Sequence, residues 1–243
     1  MAREGVRWTA DRGTSWYRWA ALAGLLVTFV GFFLTYTKPV VTGDYAGPWW
    51  GHIHGALALA WVLLIIAQTQ LVGRNIQLHR KLGLVATLVI PLWFASTVAI
   101  YREVAQMQIA QGNLDAAVTN IIGSLASPLL VMILVGFALA LRKRPQAHKR
   151  LMFVATVLML WPAWARWRNY FPDPDPLFNV FGFWIALAPI LIAMVRDRLK
   201  FGKVHPALFW GGSAAIGEQA FEILAYGSEG WNRASAVLFE ILA

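Results

Sequence analysis

This sequence predicts an all-α, polytopic membrane helix bundle of about seven transmembrane helices, and three observations carry the prediction. Of 243 residues, 58% are hydrophobic and only 14% are charged, more apolar side chain than a soluble domain of this length needs. The apolar residues fall into seven runs, roughly 19–37, 52–73, 83–102, 119–141, 151–168, 178–195 and 207–226, each near the ~20 residues that cross a hydrocarbon core. Every Lys and Arg except Lys38, Arg102, Arg166, Arg168 and Arg233 sits in segments that alternate with those runs on one side.

Taken in order, residues 1–18 form a polar N-terminal segment with Arg3, Arg7, Arg12 and Arg18. No small-residue cleavage site follows the first apolar run, so that run reads as an uncleaved anchor. In hydrocarbon each run must be a helix, because only a helix satisfies its own backbone. The N-terminus and the loops 74–81, 142–150 and 196–203 collect the basic residues, which places them in the cytoplasm and the C-terminus outside. This distribution explains the net charge of +9. A nucleic-acid partner would need a basic face on a soluble domain, which the pattern lacks. The expected partners are the lipid bilayer and anionic headgroups at the cytoplasmic loops, with a membrane-protein partner left open.

Trp49, Trp50, Trp161, Trp164, Trp167 and Trp231 fall near outer span ends, and Trp8, Trp16, Trp19 and Trp210 near inner ends, as interfacial belts do. Pro91, Pro128, Pro162 and Pro189 lie inside spans, where kinks are tolerated and often line cavities. The glutamine-bearing stretch 104–118 reads as a short outer helix or loop, and Pro172 to Pro176 as a rigid outer turn. Spans 19–226 make one bundle, and 227–243 an outer amphipathic tail.

The bundle carries an internal repeat. His79-Arg80-Lys81-Leu82, with Val85-Ala86-Thr87, is echoed by His148-Lys149-Arg150-Leu151 with Val154-Ala155-Thr156, and more faintly by His205-Pro206-Ala207-Leu208. Each copy launches the returning helix of a hairpin. The expected architecture is three hairpins plus an N-terminal span, with His79, His148 and His205 at one depth, as in repeat-built membrane proteins whose sites lie between the repeats.

Two constellations are candidate sites. The chain has no cysteine, so the available metal ligands are His, Asp and Glu. His79, His148, His205 and Asp197 make a plausible first shell for a divalent metal such as zinc, with His79 and His148 also suited to haem b. The alternative role of these histidines is to anchor helix ends beside Arg80, Lys81, Lys149 and Arg150. The second constellation is an outer polar cluster: His52 and His54 open one span, Arg166 and Arg168 close another, and Glu218 and Glu222 lie four apart on a third. A salt bridge between Glu222 and Arg168 fits the helical rise. A quinone head or another polar ligand, with His54 exchanging a proton, also fits.

His54-Gly55, Trp61, Gln68 or Gln70, His79-Arg80-Lys81-Leu82-Gly83, the run Arg144 to Met152 and His205-Pro206 together resemble a group of uncharacterised bacterial multi-pass membrane proteins, over roughly residues 50–212. The resemblance implies a bacterial inner-membrane location. The His-Arg motif is loosely similar to small membrane proteins associated with haem–copper oxidase assembly. Seven spans with three cytoplasmic histidines are similar to the zinc-dependent adiponectin-receptor and alkaline-ceramidase hydrolases, from which this chain departs by lacking paired histidines on the last span. The leading expectation is a histidine-ligated haem or metal site near the cytoplasmic face in a redox or metal-handling role. The alternatives are a zinc-dependent intramembrane lipid hydrolase and a non-catalytic membrane subunit or assembly factor.

Overall fold

The computed structural model describes residues 14–242; most of the basic segment expected at 1–18 lies outside them. Every regular element among the described residues is helical. In chain order the helices are α1 (Thr14–Phe32), α2 (Lys38–Thr42), α3 (Trp50–Leu71), α4 (Ile76–Gly83), α5 (Ala86–Ala110), α6 (Leu114–Thr119), α7 (Ile121–Ala140), α8 (Pro145–Met159), α9 (Trp161–Arg166), α10 (Ala186–Phe201), α11 (Pro206–Ala225) and α12 (Glu229–Leu242). A π-turn over Phe33–Thr37 joins α1 to α2, and another over Val180–Ile185 leads into α10.

Five helical segments are long and apolar enough to cross a membrane: Ser15–Thr42, Trp50–Leu71, Ile76–Ala110, Leu114–Ala140 and Asp175–Phe201. The runs expected at 151–168 and 207–226 are helical, but they are not among these five. Helix α8 ends after 15 residues, and the apolar run of α11 is diluted by Glu218, Gln219 and Glu222. In α8 the residues Leu151, Phe153, Val154, Ala155, Val157, Leu158 and Met159 are all buried, and the helix packs against α7, α10 and α11. A helix shielded by others can carry His148, Lys149 and Arg150 and stay short. Helix α11 likewise carries Glu218, Gln219 and Glu222 against α7 and α8.

Sequence neighbours pack as pairs: α3 on α5, α7 on α8, α10 on α11. The stretch expected as the loop 74–81 is mostly helix, because the Asn75 side chain accepts from Leu78 N at 3.0 Å and caps α4. The expected break after 102 comes later, since α5 runs to Ala110 before Gly112 turns the chain in the left-handed region. Glu103 uses that extra turn. Its two carboxylate oxygens accept from Trp49 N at 2.7 Å and Trp50 N at 3.0 Å, capping α3 from a neighbouring helix. Trp231, expected as an interfacial anchor, is buried, and its indole donates to the Thr119 carbonyl at 2.9 Å. It holds α12 against α6 and α7.

The ends of α8, α10 and α11 are joined by one buried ion pair. Arg150 (0% exposed) donates from Nε to Asp197 Oδ2 and from Nη2 to Oδ1, both at 2.7 Å, and Asp197 is 1% exposed. Arg150 Nη1 donates to Gln146 Oε1 at 2.7 Å and to the Gln146 carbonyl at 3.1 Å. Asp197 Oδ2 also accepts from His205 N at 3.3 Å, and Arg196 Nη1 lies 3.7 Å from Oδ1 as a second, weaker cation. Gly202, with φ of 75°, supplies the left-handed turn that brings His205 back to Asp197.

Removing one partner from such a pair strands the other charge. Arg150→Ala should therefore cost about 3–5 kcal/mol, whereas Arg150→Met with Asp197→Leu should recover most of it. Thermal unfolding of the detergent-solubilised variants measures both, and an unchanged midpoint in Arg150→Ala would deny the pair this role.

Candidate functional site

Four of the six residues of the outer polar cluster, His52, His54, Arg166 and Glu222, line a cavity of about 1280 Å³ between α1, α3, α5, α7, α9 and α11; Arg168 and Glu218 are not on its wall. Its position follows from a broken helix. Helix α8 stops at Met159, Leu160 is a turn residue, and α9 restarts with Pro162 near its N-terminus. Proline has no N–H to continue the ladder, so the chain is displaced there, and Leu158 through Ala163 all line the cavity. Pro128 of α7 faces the same space, while Pro91 and Pro189 are not on its wall.

The wall has two zones. Tyr36, Tyr45, His52, His54 and Arg166 form one side; Leu59, Val62, Val131 and Leu158 form the deeper floor. From His54 to Val62 is eight residues along α3, about 12 Å at the α-helical rise. Tyr36 Oη and His52 Nδ1 share a hydrogen bond of 2.8 Å, and the rings of Tyr36, Tyr45 and His52 lie within 5.6 Å of one another, centroid to centroid. Burial beside Tyr36 and Glu103 raises the Tyr45 phenol, against the opposing charge of Arg166, so Tyr45 stays a neutral donor to the Pro48 carbonyl at 3.2 Å.

His54 has an assignable tautomer. Ser96 Oγ spends its proton on the Trp93 carbonyl at 2.6 Å, so at 3.1 Å from His54 Nδ1 it must accept. The proton is therefore on Nδ1, and Nε2 is left as an acceptor. Trp93 packs against this imidazole with ring centroids 5.5 Å apart.

Arg166 and Arg168 part company. Arg168 lies 3.8 Å from Asp175 and stacks over Phe178 at 4.8 Å. The expected salt bridge between Glu222 and Arg168 is not formed, because Asp175 in the following turn supplies the acid. Arg166 lies over Phe32 at 4.6 Å and donates one hydrogen bond, to the Pro162 carbonyl at 2.8 Å. Helices α1 and α9 can hold it there because they touch backbone to backbone. A Cβ on Gly31 would overlap the Ala163 carbonyl, and Trp167 and Tyr170 donate to the carbonyls of Val27 and Val30 at 3.3 and 2.7 Å.

The two glutamates of α11 are also in different settings. Glu218 accepts from Ser127 Oγ at 2.8 and 2.9 Å and from Gln219 Nε2 at 3.0 Å. Glu222 lies on the cavity wall against Gly123, where a side chain would overlap its carboxyl.

The histidine set is divided. Among the described residues no group of three or more His, Asp or Glu is placed to hold a metal ion. Asp197 is engaged by Arg150. His205 uses Nδ1 to accept from Ala207 N at 3.1 Å, capping α11. His79 and His148 instead share one geometry. His79 Nδ1 donates to the Gln68 carbonyl at 3.3 Å and His148 Nδ1 to the Ala138 carbonyl at 2.7 Å. The sequence repeat is thus a structural one, in which each imidazole ties the start of a helix to the end of the preceding one. Burial lowers the His148 pKa, opposed by its bond to Ala138 and reinforced by nearby His79.

Several wall residues carried no signal of their own in the sequence. Tyr36, Tyr45 and Trp93 read as ordinary span or loop aromatics, and Trp161 as part of a belt, yet all four line the cavity. The prolines inside spans hinted at a cavity, and two of the four, Pro128 and Pro162, line it. Comparison with protein-family models, curated proteins and solved structures finds no match for this chain.

The capping role of His205 has a measurable consequence. Burial, together with Arg150 and Lys149, lowers its pKa from 6.5 to about 4 against the pull of Asp197. An unfolded His takes its proton near 6.5 and the folded one only near about 4, so between these values the unfolded chain binds more protons. This contribution is complete above pH 6.5 and is lost as pH falls toward 4. In detergent, the pH-dependent loss of melting temperature across that window should shrink in His205→Asn, which keeps a capping acceptor without the titration; an unaltered slope would reject it.

Proposed function

We propose that the chain is a seven-span protein of the bacterial inner membrane that binds a lipophilic molecule with a hydrogen-bonding head, a class that includes quinones, in the cavity between its helices. In this reading α8 with α9 and α11 are the two further spans, the turns at His79, His148 and His205 are cytoplasmic, and the cavity lies in the outer half. The carrying observation is the cavity wall, where His52, His54, Arg166 and Glu222 gather beside an apolar floor. Binding pockets of about 300–1000 Å³ take drug-sized molecules, and this one exceeds that range. Ionisable groups inside a membrane segment are costly unless they serve a pathway or a ligand.

Gly55 gives a direct test. It lines the cavity, and a Cβ there meets no atom within 4 Å, so Gly55→Phe should fold normally and fill the space. Native mass spectrometry of wild type purified in mild detergent is expected to show a retained lipophile that Gly55→Phe lacks. Equal retention by both would refute the cavity as the binding site.

A haem or metal site is the second reading, favoured by the shared geometry of His79 and His148. Histidine ligands commonly donate the second ring nitrogen to a carbonyl. Both of these do so, which leaves two Nε2 atoms as ligand atoms. The four-residue set with His205 and Asp197 does not fit, so this reading uses His79 and His148 alone. It predicts Soret absorbance or stoichiometric metal in purified protein, abolished in His79→Ala and in His148→Ala; protein with neither signal would retire this reading.

A further inference from the structure

We infer that the occupant of the cavity carries an anionic head, a carboxylate or a phosphate monoester on a long apolar chain, and that Arg166 receives it. This inference rests on the cavity reading above and narrows it.

The reasoning starts from a contrast between two arginines on one turn. Arg168 has Asp175 as its acid. Arg166, on the cavity wall, makes no ion pair with any described residue, and only one of its donors is engaged, by the Pro162 carbonyl. A guanidinium cannot shed its charge at physiological pH and presents five N–H donors. Held under a Phe32 ring in a membrane-length bundle, such a cation is expensive without a partner. Glu222, the acidic residue on the same wall, packs against α7 at Gly123 rather than against Arg166. The charge is therefore left for a ligand.

The neighbouring polar groups are engaged with protein partners and bring no counter-charge to Arg166. His54 Nδ1 is turned toward Ser96. Tyr45 donates to Pro48 and sits with Tyr36 and His52 in the aromatic group beside Arg166. A planar guanidinium fork matches the two oxygens of a carboxylate or the oxygens of a phosphate. The floor at Leu59, Val62, Val131 and Leu158 supplies an apolar lining for the chain. Along the continuous α3, from His54 beside the head to Val62 of the floor is eight residues, about 12 Å, the length of a substantial alkyl segment.

The test compares three chain-matched probes, a long-chain carboxylate, an alkyl phosphate monoester and a long-chain alcohol, by equilibrium binding to the full-length protein in neutral detergent. At least one acid is expected to bind wild type roughly 10- to 100-fold more tightly than the alcohol, the scale of one charge-assisted hydrogen bond. Whichever acid binds more tightly identifies the head. Arg166→Gln should abolish that preference, and Arg168→Gln should leave it intact. Arg166→Lys keeps the charge without the fork and should retain a weakened preference, which covers the case in which Arg166→Gln does not fold. Equal binding of acids and alcohol to wild type, or a preference that survives Arg166→Gln, overturns the inference. If the alcohol binds as well as the acids and Gly55→Phe blocks all three, the cavity reading stands without the anion; if no probe binds, both fall.

Discussion

Three helices of this bundle are held in register by one ion pair with no access to water. Arg150 and Asp197 pair through two parallel hydrogen bonds; Arg150 also donates to Gln146, and Asp197 also faces the His205 backbone and, at 3.7 Å, Arg196. A buried pair of this kind adds little net stability over a well-packed apolar pair, because desolvation offsets attraction. What it supplies is specificity: any sliding of α8 against α10 would leave two charges unpaired. With that end of α8 fixed, the position of its far end is fixed too, and there the helix breaks and the cavity begins.

The cavity lies between helices that are tied together at other points. At one end the ion pair and the paired imidazole bonds of His79 and His148 draw the turns together. At the other, Gly31 lets α1 reach the backbone of α9, and Glu103 ties α5 to the start of α3. Between these contacts the break between α8 and α9 before Pro162 leaves a gap, which Pro128, inside the continuous α7, also faces. Tight contacts around a void are a stable arrangement only if the void's polar atoms have partners, and most do: Ser127, Gln219, Tyr36 and His52 are linked to one another or to neighbours. Arg166 has a carbonyl and a Phe32 ring but no acid, which makes it the informative residue.

The helical class and the repeat could be read without coordinates. Hydrophobic length is local, and a motif such as His-basic-basic-Leu recurs visibly in the chain. The same locality sets what a run of residues can say. Counting apolar runs does not register that α8 ends at Met159 after 15 residues or that α11 carries Glu218, Gln219 and Glu222, so seven runs stand beside five segments long and apolar enough to cross a membrane. Depth along a helix placed Glu222 level with Arg168, but helical rise carries no information about which way a side chain faces around the axis.

Composition, the spacing of apolar runs and the alternation of basic loops therefore determined that this is a helical, membrane-type protein with duplicated hairpins, since each of these is set by residues close in sequence. The grouping of His52, His54, Arg166 and Glu222 around one cavity was decided only by the tertiary structure, as was the diversion of Asp197 to Arg150 and of His205 to the cap of α11. The physical reason is that these outcomes depend on rotation and contact between helices far apart in the chain. A buried charge takes the partner that packing brings within reach, and no spacing along the sequence names that partner.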